Sequence, residues 1–218
     1  MSDETGKSYE AHTKLHYQDP ATAEEYADRQ SWRRSPAEWV VGRLEIRQIT
    51  AGLGLVGGGA RTVVDIPAGS GKLSRLLSGR YPGYIAGDIS AEMMRFIPVP
   101  VPKTRADVTS LPFADDALDL VVCLRLLHRV PEDVVDGAIT EGLRVARQGY
   151  LFSYASHPRN STAATAARVG TGRQKHWTTQ LTPDQVKAKV EERGGVVLRD
   201  RSISFGLTTE RVAICRPA

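Results

Sequence analysis

The sequence predicts an α/β fold of the Rossmann-like kind, built on a seven-stranded and mostly parallel sheet. From residue 61 onward, short apolar runs alternate with turns and helical stretches, which is typical of a parallel sheet. Two helical segments precede the first of these runs. The last two strand-like runs are joined by a short loop, and they predict an antiparallel hairpin strand at the carboxyl end of the sheet.

The segment before the first strand predicts two helices. Asp19-Pro20 and Ser35-Pro36 each resemble an N-cap followed by a proline at the first helical position. The first helix is expected over residues 21–30, and the second from Pro36 to the glycines Gly52 and Gly54. We interpret this segment as a helical lid on the sheet.

The rest of the chain can be divided from its turn signals. Strands are predicted over residues 62–66, 84–87, 104–106, 118–124, 150–154, 196–205 and 211–215. Helices are predicted to begin at Gly71, Ser90 and Pro131, and a capping box at Thr182–Gln185 opens a further helix that ends at Gly194-Gly195.

A length of 218 residues suffices for one domain with a full core. We expect a flexible segment over residues 1–16 and a single domain over 17–218, with the lid at 17–52 and the Rossmann-like core at 61–218. The net charge of +4 is too small to indicate a nucleic-acid partner. Because Cys123 and Cys215 lie in apolar runs, we expect buried thiols, a cytoplasmic location and no bound metal. The sequence has no apolar run long enough for a membrane span.

The most specific pattern is an apolar strand that ends in Asp65 and enters a glycine turn, Gly69-Ser70-Gly71, ahead of a helix. Glycines at such a turn let the backbone approach a ligand closely, and a helix start offers free N–H groups. Asp88 ends the second strand at the spacing where a carboxylate accepts bonds from ribose hydroxyls, and Asp107 follows the third. The three acids therefore predict a nucleoside site at the carboxyl edge of the sheet.

Four segments together resemble a class I S-adenosylmethionine-dependent methyltransferase of the type 11 group. They are residues 65–71 (DIPAGSG), 87–93 (GDISAEM), 107–121 and 127–130 (LHRV). The resemblance implies S-adenosylmethionine as the cofactor and S-adenosylhomocysteine as the product. One departure is Pro67, which stands where the commonest form of the first motif has a glycine.

The resemblance also implies a set of cofactor-binding residues. Gly69 and Gly71 would pass close to the amino-acid part of the cofactor, with Asp65 contacting it. The ribose would lie on Asp88, and the adenine between apolar side chains with its polar edge on the third strand. The full predicted set is Asp65, Pro67, Ala68, Gly69, Gly71, Asp88, Ile89, Met93, Asp107, Val108, Leu124, Tyr26 and Arg34.

Two other functions compete for the same turn. A nicotinamide oxidoreductase is suggested by residues 69–74, which nearly fit G-x-G-x-x-G/A, but Asp65 would repel a pyrophosphate. A cofactor-binding protein without catalysis stays open as the second alternative. A P-loop is excluded, because Ile66 replaces its first glycine and Leu73 follows the lysine.

The acceptor side is less determined. His128 and Arg125 are the predicted catalytic residues, although a packed histidine and a solvated arginine are the ordinary alternatives. An acidic acceptor is expected if Arg34 and Arg125 point into the cleft, because guanidinium groups suit carboxylate and phosphate. No Asn/Asp-Pro-Pro-aromatic motif, which marks many enzymes that methylate amide or nucleobase nitrogens, follows the fourth strand, so a small-molecule acceptor is favoured. We expect oxygen to be methylated in preference to nitrogen or carbon. Further candidates for the acceptor pocket are His157, His176 and Trp177.

Overall fold

The computed structural model describes residues 16–32, 36–156, 179–204 and 208–218. The segment predicted to be flexible, residues 1–16, lies outside this part of the chain except for His16. Arg34, His157, His176 and Trp177 also lie outside it. The predicted roles of these residues therefore stay predictions.

A seven-stranded sheet forms the centre of the molecule. Its strands are β1 (Thr62–Asp65), β2 (Gly83–Asp88), β3 (Lys103–Arg105), β4 (Leu118–Cys123), β5 (Ala146–Ala155), β6 (Gly195–Ser202) and β7 (Glu210–Pro217). The strand order is β3-β2-β1-β4-β5-β7-β6. Strand β7 is antiparallel to both of its neighbours, and the other pairs are parallel. The predicted Rossmann-like sheet with a C-terminal hairpin is thus confirmed.

Helices cover both faces of the sheet. They are α1 (Pro20–Trp32), α2 (Pro36–Val56), α3 (Ser74–Arg80), α4 (Ala91–Met94), α5 (Glu132–Val145) and α6 (Pro183–Glu191), with 3-10 turns at His16–Gln18 and Leu127–Arg129. Helices α2, α3 and α4 contribute to one apolar cluster, and α5 and α6 contribute to the other. Along β4, Leu120 and Val122 join the first cluster while Val121 and Cys123 join the second. This alternation explains why the strand reads as a continuous apolar run.

Helix α2 continues past the glycines that were predicted to end it. A Cβ atom on Gly52 would lie 2.7 Å from Cδ1 of Ile214 and 2.9 Å from Cδ2 of Leu151. The glycine therefore lets the helix approach β5 and β7 closely, and it does not stop the helix. Gly54, by contrast, has open space around it.

Strand β5 begins earlier than the predicted residue 150. Arg147 and Gln148, expected in a connection, belong to the strand, and both donate side-chain hydrogen bonds to Oδ1 of Asp119. A register irregularity between β4 and β5 accommodates these residues. The burial of Asp119 beside β1 and β5 could not be read from the local pattern.

The remaining helix boundaries follow the sequence signals with small shifts. Helix α3 begins at Ser74 and not at Gly71, because residues 69–73 form turns. Ser90 is the N-cap of α4, and Thr182 with Gln185 forms the predicted capping box of α6. Both cysteines are buried free thiols. Within the described segments, none of the helices has the length and apolar character that a bilayer crossing requires.

Two helical glycines make a matched pair for testing the packing of the core. A Cβ on Gly142 of α5 would lie 2.5 Å from the ring of Tyr150, whereas a Cβ on the exposed Gly79 of α3 would meet nothing within 4 Å. We expect Gly142→Ala to destabilise the protein by about 1–3 kcal/mol through overpacking. We expect Gly79→Ala to be neutral or to stabilise by up to about 1 kcal/mol. Chemical denaturation followed by circular dichroism would measure both, and equal effects would contradict the packing described here.

Candidate functional site

The carboxyl ends of three adjacent parallel strands meet at one edge of the sheet. Asp65, the last residue of β1, lies between Ala86 of β2 and Val122 of β4 in the strand register. Asp88 ends β2 two residues farther on. Open α/β sheets bind ligands in the crevice at this edge, next to the point where the chain reverses its order of strands.

A cavity lies at this edge, between the strand ends and the N-terminal helical segment. Most of the predicted site residues line it: Tyr26, Asp65, Pro67, Ala68, Gly69, Asp88, Ile89, Met93, Leu124 and Arg125. Lining residues outside the predicted cofactor-binding and catalytic set include Tyr17, Lys72, Leu126 and Arg129. Gly71, Asp107, Val108 and His128 do not line the cavity.

The glycine turn is folded over the end of β2. The backbone N–H of Ala68 donates to the carbonyl of Gly87 at 2.7 Å, and that of Gly69 donates to Oδ2 of Asp88 at 2.8 Å. Gly69 has a φ of +53° and faces the cavity, where a Cβ would approach Cε of Met93 at 3.6 Å. The turn thus presents bare backbone to a ligand.

Gly71 lies inside the turn, packed against Ile97 and Ser74. Its φ is +83°, and a Cβ there would lie 3.0 Å from Cγ2 of Ile97 and 3.0 Å from Oγ of Ser74. The glycine is therefore required for the turn to pack against its own surroundings. It shapes the turn without lining the cavity.

Asp88 is a buried carboxylate held by the backbone. Its Oδ1 accepts the N–H of Ser90 at 2.8 Å, and its Oδ2 accepts the N–H of Gly69. Burial raises the pKa of Asp88, and the two backbone donors act against that rise. Because a carboxylate oxygen has two lone pairs, each oxygen retains capacity for a hydroxyl donor from the cavity.

Asp65 is buried more completely, with 2% of its surface exposed. Burial raises its pKa to about 8, while a hydrogen bond from the Tyr84 hydroxyl at 3.4 Å opposes the rise and the charge of Asp88 adds to it. The carboxyl group of Asp65 is therefore mostly protonated at pH 7 when no cationic ligand is bound. A cationic ligand group in the cavity would favour its ionised form.

Asp107 and Val108 lie beyond β3, away from the lining of the cavity. Oδ1 of Asp107 accepts the backbone N–H of Thr109 at 3.0 Å and its hydroxyl at 2.8 Å. Val108 is 8% exposed and packs in the core cluster on the α5 side. The structure thus brings Asp65 and Asp88 together, whereas Asp107 caps a local turn at the same edge of the sheet.

Arg125 follows β4 in a left-handed conformation, with a φ of 60°. Its backbone N–H donates to Oγ of Ser153 at 2.7 Å, which fixes the turn against β5. Its guanidinium binds Glu45 through two hydrogen bonds, Nε to Oε1 at 2.9 Å and Nη2 to Oε2 at 2.7 Å. The side chain lines the cavity, but a carboxylate of this chain occupies its fork.

Glu45, the partner of Arg125, was not predicted from the sequence. It is completely buried in α2, and Lys72 also donates to its Oε2. Burial alone would raise the pKa of Glu45, but the guanidinium of Arg125 and the ammonium of Lys72 together lower it. A signal was present, because Glu45 falls on the same helical face as Ile49 and interrupts an otherwise apolar stripe.

His128 lies in the 3-10 turn directly behind the cavity wall. Its Nε2 accepts a hydrogen bond from Nε of Arg129 at 3.1 Å and lies 3.8 Å from Oε1 of Glu210. Burial, together with the charges of Arg129 and Arg125, lowers the pKa of His128 to about 4. With Nε2 occupied and its basicity reduced, the imidazole is poorly suited to be the predicted catalytic base.

The N-terminal segment covers the end of the cavity nearest β2. Tyr17 and Tyr26 both line the cavity, and their rings pack edge to face with centroids 5.6 Å apart. The Ser90 hydroxyl donates to the carbonyl of Tyr17 at 2.5 Å. Arg105 donates to the carbonyl of Ile89 at 3.1 Å and to the side chain of Gln18 at 3.5 Å. These contacts tie the segment to the ends of β2 and β3.

Part of the sequence matches a known protein family. Residues 64–153 match the family described as "Methyltransferase domain". The match begins in β1 and ends in β5, so it includes the glycine turn and both buried acids. No curated protein matches the sequence.

Solved structures with the same fold include several methyltransferases. The chain is similar to magnesium protoporphyrin IX methyltransferase from Synechocystis with bound SAH, with 16% identity, a TM-score of 0.74 and coverage of 94% of this chain and 98% of that one. It is similar to human N-acetylserotonin methyltransferase in complex with SAM, with 13% identity, a TM-score of 0.68, and coverage of 95% and 60%. For the DhpI-SAH complex, the values are 19% identity, a TM-score of 0.66, and coverage of 100% and 99%.

These comparisons agree with the geometry of the cavity. The family match spans the strand ends and the turn that build it, and the structural matches extend over nearly the whole chain. Residues 64–153 therefore resemble a methyltransferase domain, and the chain shares the fold of these solved structures.

Proposed function

We propose that the protein transfers a methyl group from S-adenosylmethionine to a small-molecule acceptor that bears an acidic group, with oxygen as the methylated atom. The observation that carries the proposal is the cavity in which Asp65 and Asp88, both buried, flank a bare glycine turn. A carboxylate pair beside exposed backbone suits a nucleoside that carries an ammonium group, and it disfavours the pyrophosphate of a nicotinamide cofactor.

The residues present fit this cofactor. Asp88 has oxygen lone pairs for the ribose hydroxyls, and Gly69 leaves space for close approach. Ile89, Met93 and Leu124 offer apolar surface for a purine ring. Bound there, S-adenosylmethionine supplies an electrophilic methyl group on a sulfonium.

The chain's own contribution is alignment and exclusion of water. That methyl group would pass to a lone pair of the acceptor oxygen, and the sulfur would keep the electrons of the broken S–CH3 bond as a thioether. An ionised acceptor oxygen needs no general base, which fits a site where His128 is neutral and hydrogen-bonded by Arg129. Leu73, Leu124 and Leu126 line the cavity and limit the access of water to the reacting atoms.

The N-terminal helices complete the proposal as a lid. Tyr17 and Tyr26 lie on the cavity, and Ser90 and Arg105 hold the segment in place. Glu45 of α2 contacts Lys72 and Arg125 across the cavity wall. The lid therefore contributes two lining side chains, Tyr17 and Tyr26, and the carboxylate of Glu45, which offsets the charges of Lys72 and Arg125.

Cofactor binding is the first test. Calorimetric titration should give binding of S-adenosylhomocysteine and S-adenosylmethionine and none of NAD. Asp88→Asn should weaken binding about tenfold or more, because ribose hydroxyls lose a charged acceptor. Asp116→Asn is the matched control, since Asp116 is exposed and its φ of 53° is one that asparagine tolerates. Binding of NAD without S-adenosylhomocysteine would overturn the proposal.

The raised pKa of Asp65 predicts that cofactor affinity depends on pH. Because its pKa is about 8 in the free protein, the ammonium of the cofactor must bind a carboxyl group that is mostly protonated at pH 7. Affinity for S-adenosylhomocysteine should therefore rise as the pH increases from 6 to 8, by up to about tenfold per unit, with release of a proton. In Asp65→Asn the affinity should be weaker and independent of pH over this range. An unchanged slope would rule out Asp65 as the partner of the ammonium.

The raised pKa of Asp65 also predicts that the stability of the ligand-free protein depends on pH. A carboxyl group with a raised pKa binds a proton in the folded state that the unfolded state has lost, so its contribution falls as the pH rises from about 4 to about 8. Asp65→Asn should therefore stabilise the protein more at pH 8 than at pH 5. Asp119→Asn is the control without a pH dependence in this range: hydrogen bonds from Arg61, Arg147 and Thr62 outweigh burial and lower the pKa of Asp119, so the group is ionised at pH 5 and at pH 8 and the variant should destabilise the protein about equally at both. Denaturation midpoints at both pH values would measure the two effects.

The lid can be tested by removing residues 1–34. Affinity for S-adenosylhomocysteine should fall, because Tyr17, Tyr26 and the contacts of Ser90 and Arg105 are lost. The double variant Tyr17→Leu/Tyr26→Leu keeps the helix and should lose part of the same affinity. Circular dichroism of both proteins would verify that the sheet is intact. Full affinity and turnover in the truncated protein would remove the lid from the proposal.

A further inference from the structure

Three cationic side chains line the cavity, and they differ in what they bind. Lys72 and Arg125 both donate to Glu45, so two positive charges meet one buried carboxylate. Arg129 is not part of this cluster. Arg125, an arginine that the sequence predicted as a partner of an acidic acceptor, is therefore already neutralised by Glu45. An incoming anion would have to compete with this bidentate ion pair.

Arg129 has its terminal nitrogens free for a ligand. Its Nε donates to Nε2 of His128 at 3.1 Å, and its backbone N–H donates to the carbonyl of Leu126 at 2.7 Å. Across the described segments, no acceptor lies within hydrogen-bonding distance of its Nη1 or Nη2, and no carboxylate forms an ion pair with it. The side chain is only partly buried and lines the cavity. Its fork is thus accessible from the cavity.

His128 holds the guanidinium in place as a neutral acceptor. Because its Nε2 receives the bond from Arg129, the ring proton belongs on Nδ1, which is buried without a partner among the described residues. Protonation of Nε2 would remove the acceptor and place a cation beside two guanidinium groups. The imidazole therefore orients Arg129, and it does so only in its neutral form.

Resting on the proposed function, we infer that Arg129 is the residue that selects the acceptor: its guanidinium binds a carboxylate or phosphate group of the acceptor, with His128 as its positioning residue. A guanidinium fork matches two oxygens of such a group and gives it orientation as well as affinity. The charge balance agrees, since the three cations Lys72, Arg125 and Arg129 face two carboxylates, Glu45 and Glu210, and one positive charge remains. Arg125 is assigned to the wall of the cavity, through Glu45.

The test uses probes that share a phenyl ring and differ in the charge of the attached group. The full chain, saturated with S-adenosylhomocysteine, is titrated with benzoate, phenyl phosphate and the neutral benzamide, and binding is followed by ligand-observed NMR. We expect one or both anions to bind at least tenfold more tightly than benzamide. The two anions show whether the site prefers a carboxylate or a phosphate. Equal binding of benzamide and both anions, or no binding of any probe, would overturn the inference.

Variants separate the role of Arg129 from a general effect on the fold. Arg129→Gln should weaken the preferred anion on the order of tenfold, and Arg129→Lys should restore part of the loss, since a point charge remains. Arg216→Gln, an exposed arginine outside the cavity, is the control and should bind the anion normally. Equal affinity in Arg129→Gln and the parent protein would exclude Arg129 as the anion site.

The positioning role of His128 has its own readout. His128→Gln retains an oxygen acceptor for Nε of Arg129 and should keep most of the anion affinity, whereas His128→Leu should lose several-fold. Affinity for S-adenosylhomocysteine should stay unchanged in all Arg129 and His128 variants. If the parent protein fails to bind S-adenosylhomocysteine, the proposed function fails. If it binds the cofactor product but does not distinguish benzoate or phenyl phosphate from benzamide, only the present inference fails.

Discussion

Burial of carboxylates at the carboxyl edge of the sheet is the constraint on which the site depends. The parallel register of β1, β2 and β4 places Asp65 and Asp88 beside the glycine turn, where little water reaches them. A buried carboxyl group is costly unless it is protonated or paired. Asp88 is held by two backbone donors, whereas burial raises the pKa of Asp65 to about 8 although the Tyr84 hydroxyl and the charge of Lys72 oppose the rise. A cationic ligand in the cavity would favour the ionised form of Asp65, and this is a physical reason for the site to bind one.

Glu45 is also a buried carboxyl group, but it is stabilised by ion pairs. Its carboxylate is as inaccessible as that of Asp65, yet Lys72 and Arg125 keep it ionised. Lys72 follows the glycine turn, Arg125 follows β4, and Glu45 belongs to α2, so one ion cluster joins three separate parts of the chain. Removing one partner of such a cluster leaves a buried charge unpaired, so the cluster ties α2 to the glycine turn and to the end of β4.

The two ends of the cavity consequently differ in their charged groups. Asp65, Asp88 and bare backbone lie at the ends of β1 and β2, and Arg125 and Arg129 lie beyond β4, whereas Lys72 follows the glycine turn and pairs with Glu45. A methyl donor that carries an ammonium and an acceptor that carries an anion would sort to opposite ends, with the reacting atoms between them. This arrangement leaves His128 as a support for Arg129.

The sequence by itself determined the fold class, the order of the strands in the chain, and the acids at the strand ends, because strand periodicity, capping residues and glycine turns are local signals. It did not determine the end of α2 or the start of β5, since close packing of Gly52 and the side-chain contacts of Asp119 come from distant parts of the chain. For the site, motif spacing found Asp65, Gly69 and Asp88. Only the tertiary structure showed that Glu45 occupies Arg125 and that Arg129 is open to the cavity, because an arginine's partner lies far away in sequence.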